Sequence, residues 1–272
     1  MRAIGIGLFV SFVGASNFAQ DHGHLNVGAN GTSLTFDNAA SFNNLYVKTL
    51  VINDGKYNNL YNGNITFTTL HSTNAFGELD PAAPKPGSFI VAEILSVQGP
   101  DGGAFAFWET NSTTAPAISI PTGTTNSTFR FELSEAALGA GERGGDPYGH
   151  IHGRRFTASV PGFYTVGFRA YDLSTNGPNS GPIHSPSLLQ LINFQAGVVI
   201  THLEPDVDHS HITFGATAGY SWQLQATSSL SNPTWKNVGD PITGIDALQE
   251  IEDDHDVVGN RFFRVVGTPL PP

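Results

Sequence analysis

Six of the ten histidines fall into three His-x-His pairs: His22-Gly23-His24, His150-Ile151-His152 and His209-Ser210-His211. In a β-strand alternate side chains share a face, so the two imidazoles of such a pair point the same way, about 6.6 Å apart along the chain. Two neutral imidazoles so placed can converge on one metal ion, and zinc, copper, iron and nickel all accept such ligands. The middle pair lies in Asp146-Pro147-Tyr148-Gly149-His150-Ile151-His152-Gly153-Arg154. Its flanking glycines remove bulk, which leaves room for a ligand from elsewhere in the chain. A tight zinc site needs three or four ligands. His150 and His152 therefore have to draw on distant segments, and His22, His24 and His184 have the most suitable surroundings. His184 stands between Pro182 and Pro186. His71 and Glu109 are lesser candidates at strand ends. His209 and His211, beside Asp206 and Asp208, read as surface residues of an acidic region. The run Glu250-Ile251-Glu252-Asp253-Asp254-His255-Asp256 lacks the spacing of a calcium loop and reads as a solvated acidic turn.

The elements that must position these residues are strands. With 31 Gly, 17 Pro and only 13% charged residues, the 272-residue chain suits short strands joined by many turns. The fold class expected is all-β: an antiparallel β-sandwich followed by a smaller β-sandwich. Phe129, Phe131 and Leu133 alternate with Arg130 and Glu132, as do Tyr164, Val166, Phe168 and Ala170 with Thr165, Gly167 and Arg169. Such alternation gives a strand one core face. Ser88 to Val97 and Leu188 to Ala196 are nearly continuous in apolar residues and read as strands buried on both faces. Strand patterning restarts near Val198, where Tyr220 to Ala226 alternates. From residue 198 onward ten acids face three bases, −7 of the total −11. This asymmetry places a boundary near residue 197, with a hinge at 196–200. The organisation expected is a leader over 1–19, a His-rich domain over 20–197 and a small β domain over 198–272.

The leader reading rests on Arg2, the apolar run Ala3 to Val13 and the small and polar residues through Ala19. It predicts a secreted protein, periplasmic or at the cell surface. The acidic charge and pI near 5.2 disfavour nucleic acid and anionic membranes and favour cations. With no cysteine, neither a disulfide nor a thiolate metal site is possible. Catalysis finds no support: there is no Gly-x-Ser-x-Gly elbow, no phosphate loop and no His-Glu-x-x-His helix. A His site with an open position could activate water, but the sequence names no general base to accompany it.

Several stretches resemble a family of exported bacterial proteins repressed by the zinc-responsive regulator, often carrying a PEP-CTERM sorting tail. They are His22 to Ala29, Ser96-Val97-Gln98-Gly99-Pro100 with Phe107-Trp108-Glu109, and Pro147 to Arg154. The stretch His150 to Phe168 is also similar to the surface-anchored repeat of actinobacterial cell-wall proteins. The last region resembles fibronectin-like modules of secreted bacterial proteins, through Tyr220 to Gln225, Leu230 to Trp235 and Arg261-Phe262-Phe263-Arg264-Val265. The closing Pro269-Leu270-Pro271-Pro272 departs from a sorting tail. The resemblance implies an exported zinc-binding protein, with the metal ion as partner and another exported protein or surface component as a further one. Copper is the alternative metal. The rival expectation is an adhesion or structural module whose histidine pairs are incidental.

Overall fold

The computed structural model describes residues 23–52, 57, 59–70, 80–109, 112, 114–134, 154–206, 208–254 and 259–271. Within them the protein is β throughout, with two short 3-10 turns, Ala39–Phe42 and Pro178–Ser180. No helix among the described residues is long and apolar enough to cross a membrane.

Three sheets enclose the first core. One runs β2 (Ser33–Phe36), β1 (Gly23–Asn30), β5 (Ile65–Thr69). A second runs β4 (Tyr61–Gly63), β10 (Arg155–Ala158), β7 (Ala104–Trp108), β8 (Ile118–Pro121). The third runs β3 (Val47–Leu50), β12 (Gln190–Ala196), β11 (Gly162–Asp172), β6 (Ile90–Gln98), β9 (Phe129–Glu132). Pairing is antiparallel except at β1–β5 and β12–β3. All three sheets send phenylalanines inward. Phe107 stacks on Phe131 at 4.4 Å, Phe105 meets Phe194 at 4.8 Å, and Phe67 meets Phe168 at 4.9 Å. Large, rigid rings fill the space between sheets with little rotamer entropy to lose, which suits a core this rich in aromatics.

The alternating segments behave as expected: Tyr164, Val166, Phe168 and Ala170 are fully buried on β11. So does β6, whose Ile90 to Ile94 lie between β9 and β11. The reading of Leu188 to Ala196 holds only for its second half. Leu188 is 88% exposed, and Leu189 and Leu191 are also exposed, because β3 flanks only Asn193 to Ala196.

A second core begins after residues 197–199. The sheet β13 (Ile200–Pro205), β14 (His209–Ala216), β17 (Ala247–Asp254) faces the sheet β16 (Lys236–Thr243), β15 (Tyr220–Thr227), β18 (Phe262–Pro269). Ile212, Phe214, Ala216 and Ile251 pack against Trp222, Leu224, Ala226 and Val238. The Glu250 to Asp254 run, expected as a turn, is part of strand β17. Ile251 faces the core, and Asp253 is buried against Arg261. Glu250, Glu252 and Asp254 face solvent.

The two cores are bound across their junction by backbone and buried polar groups. Val47 donates its N–H to Asp246 O (3.0 Å), and Leu248 donates to Leu45 O (2.8 Å). Lys48, nearly buried, pairs with Asp246 at 3.2 Å. The fully buried Gln195 accepts from Gly215 N (3.1 Å) and donates to Gly215 O (3.0 Å), so its carboxamide acts as one rung of a ladder beside β14. A Cβ on Gly215 would lie 2.8 Å from both Gln195 Oε1 and Val47 Cγ1, so glycine is required by the close approach. These bonds oppose hinge motion at 196–200. Replacing Gln195 by Ala should cost about 2 kcal/mol, since it strands a buried N–H and C=O at once. Chemical denaturation of Gln195→Ala against the parent measures this, and a loss within a few tenths of a kcal/mol would mean that the rung contributes nothing.

Candidate metal centre

The third His-x-His pair stands on β14. Alternation turns Ser210, Ile212 and Phe214 inward, so His209, His211 and Thr213 share the outer face. The register brings carboxylates alongside: on β17, Asp254 lies opposite His209, Glu252 opposite His211 and Glu250 opposite Thr213. On β13, Glu204 lies opposite His211 from the other side. One ligand atom each from His209, His211 and Glu252 falls within 4.8 Å of the others. Among the described residues this is the group of three His, Asp or Glu side chains whose ligand atoms converge in this way.

The electrostatics around the two rings suit a metal. His209 Nδ1 lies 2.7 Å from Asp208 Oδ1, and His211 Nδ1 lies 3.0 Å from Glu250 Oε1. A carboxylate at Nδ1 holds the proton there, orients the ring and leaves the Nε2 lone pair facing outward, as in the carboxylate–histidine–metal arrangements of known sites. The hydrogen bond that His209 donates to Asp208 raises the His209 pKa above the ordinary histidine value, and Asp206, Asp208 and Glu252 reinforce this through their charge, against some desolvation. The rings meet edge to face with centroids 5.0 Å apart. Two imidazoles and a carboxylate are a nitrogen–oxygen donor set without sulfur, of the kind that divalent transition-metal ions accept.

The residues favoured from sequence fare differently. His22, His150, His152 and His71 lie outside the described residues, as does the leader. His24, on β1, has Nδ1 3.4 Å from Thr68 Oγ1, and its carbonyl accepts from Asn38 Nδ2 at 2.6 Å. His184 is buried, and its Nε2 accepts the backbone N–H of Lys85 at 3.0 Å, which puts the ring proton on Nδ1. As it stands that ring offers no free lone pair. Neither His24 nor His184 belongs to a converging group of three among the described residues. Glu109 pairs with Arg154 at 3.0 Å. What sequence reasoning passed over is Glu252, together with Asp208 and Glu250 behind the two rings. The signal was present as two period-two patterns, His209-x-His211 and Glu250-x-Glu252, but nothing in the chain announces that those strands pair.

The chain matches no protein-family model and no curated protein. The functional reading therefore stands on the geometry above.

His184 also gives a pH dependence. Beside it the Asp172 carboxylate accepts four backbone N–H groups, from Phe89, Ser174, Ile183 and His184, at 2.9–3.0 Å. Burial lowers the His184 pKa, Asp172 opposes this, and Lys85 adds to it. With the folded pKa depressed, the unfolded chain takes up the proton first as pH falls. Stability is then present above about pH 6.5 and is lost below it. Thermal melts at pH 7.5 and 5.5 should show a larger loss for the parent than for His184→Asn, which keeps an acceptor but does not titrate. Equal losses would remove His184 as an acid-sensitive group.

Proposed function

We propose that the protein is an exported metal-binding protein, with zinc as its ion and copper as the alternative, serving scavenging, storage or delivery. The observation that carries this reading is the convergence of His209, His211 and Glu252, with Asp208 and Glu250 behind the imidazoles. The acidic charge of the chain and its lack of cysteine support a cation held by nitrogen and oxygen. Export rests on the leader over residues 1–19, and the pair His150 and His152, with His22 and His24, is proposed as a further zinc position on the sequence pattern alone; His184, whose Nε2 is taken by the Lys85 N–H, is left out of it. No catalytic group is assigned.

A second reading is an adhesion or structural module at the cell surface. It is favoured by the exposed Leu188 and Leu189, which line a hollow of about 300 Å³ together with Leu34 and Phe36. Apolar patches of this kind mark contact surfaces. The two readings part on metal content.

Zinc titration of the untagged chain by calorimetry should give saturable binding. His209→Ala with His211→Ala should remove at least one zinc per chain. At a hundredfold excess of zinc over the dissociation constant the parent should gain about 2.7 kcal/mol of stability, and the double variant less. Each imidazole must be neutral to bind, so protons compete, and the raised pKa of His209 makes affinity begin to fall already above about pH 6.5. An untagged protein that holds only traces of zinc and copper after exposure to both would leave the adhesion reading.

A further inference from the structure

The outer face of the β13-β14-β17 sheet carries more ligands than one ion uses. Register arranges them in rows across three strands. Glu204, His211 and Glu252 form one row, and His202, Thr213 and Glu250 form the next. His202 and Glu204 share the face of β13 by their two-residue spacing, and His202 Nε2 lies 3.6 Å from Glu204 Oε2. Both side chains are largely exposed, which leaves them free to turn toward an ion.

Charge points the same way. Glu204, Asp206, Asp208, Glu250, Glu252 and Asp254 place six carboxylates on or against this face. The ion pairs of Glu204 and Glu250 run to His202 and His211, which are uncharged when deprotonated. Lys236 and Arg261 line a cleft together with Glu252 and Asp254, and Arg261 is already committed to the buried Asp253. One divalent ion carries only two positive charges, so the carboxylates of this face still attract a second cation, more weakly as salt rises.

We propose that this face takes two divalent cations: the first at His209, His211 and Glu252, and the second at His202 and Glu204. The proposal rests on the reading of the first position as a metal site. Glu204 lies between the two positions, on β13 opposite His211, and neighbouring strands are about 4.8 Å apart. A carboxylate there can present one oxygen to each ion, as in two-metal sites whose ions lie about 3.5–4 Å apart. Water completes the shell of the second ion, which has only two protein ligands and is the weaker of the two.

The test uses the full untagged chain with His150→Ala and His152→Ala as the parent, so that the sequence-predicted pair does not enter the count. Zinc alone is titrated, and bound metal is counted at equilibrium by dialysis against buffered free zinc. His202→Ala should lose one zinc per chain and keep the tighter step within about threefold, while Glu204→Gln should weaken the looser step by tenfold or more. With copper(II) in place of zinc, the parent should give a half-field paramagnetic resonance transition from two nearby ions, absent in His202→Ala. Zinc content and stepwise affinities unchanged by His202→Ala, or a copper spectrum of isolated ions only, would overturn the second position. In that case a zinc lost on His209→Ala with His211→Ala would leave the first position standing. If that double variant loses no zinc, the metal reading of the whole face fails.

Discussion

The candidate site depends on a single constraint, the register of β14 between β13 and β17. A one-residue slip would turn His209 and His211 into the core and send Ile212 and Phe214 to solvent. The burial of Ile212, Phe214 and Ala216 against Trp222 and Leu224 is what forbids that slip. Apolar burial at about 25 cal/mol per Å² greatly outweighs any preference of exposed histidines for one partner. The ligand geometry is thus a by-product of the core: the same alternation that hides the apolar residues lines up imidazoles and carboxylates outside.

That register is anchored at its far end by the neighbouring core. Beyond the point where β13 stops pairing with β14, Gln195 supplies the missing rung at Gly215. Asp246, with a left-handed φ of 53°, gathers Lys48 and Thr217 and the N–H of Ala218 where the two cores meet. Tyr46, partly buried beside this group, has its pKa pushed up by desolvation and then by the charge of Asp246, so its phenol stays neutral. A site on the solvent face of the β13-β14-β17 sheet is therefore held by residues of the first core, from Tyr46 to Gln195. The C-terminal sheet is not an independent appendage in its packing, whatever its charge asymmetry suggests.

The fold was legible in sequence wherever a strand had one wet face and one dry one. Period two in β9, β11 and β15 translated directly into burial. It failed where burial was unequal along one apolar run, as at β12, where Leu191 and the leucines at 188 and 189 that precede the strand have no β3 beside them. It failed again in β17, where Asp253 occupies an inward position and hides the alternation; the residue is tolerable there only because Arg261 meets it. The site was half legible. The pairing of two imidazoles at i and i+2 can be read from the chain, whereas the carboxylates that complete the group come from a strand some forty residues on. Which strand lies beside which is a property of the tertiary fold. Local spacing carries no trace of it.

The exposure of the ligands bears on what such a site is for. A structural zinc is enclosed by four protein ligands and contributes to folding outright, so its domain is unfolded without it. Here the second core is complete without a metal: Trp222, Phe214 and Leu224 are buried, and Trp222 Nε1 has its acceptor at Thr217 O, 3.0 Å away. The ligands stand on the solvent face, where water competes for the ion and salt screens the carboxylates. A metal held in that way gains little from dehydration and leaves easily. On the metal-binding reading proposed above, exchangeable binding on a face rich in carboxylates fits capture and release of ions better than permanent incorporation.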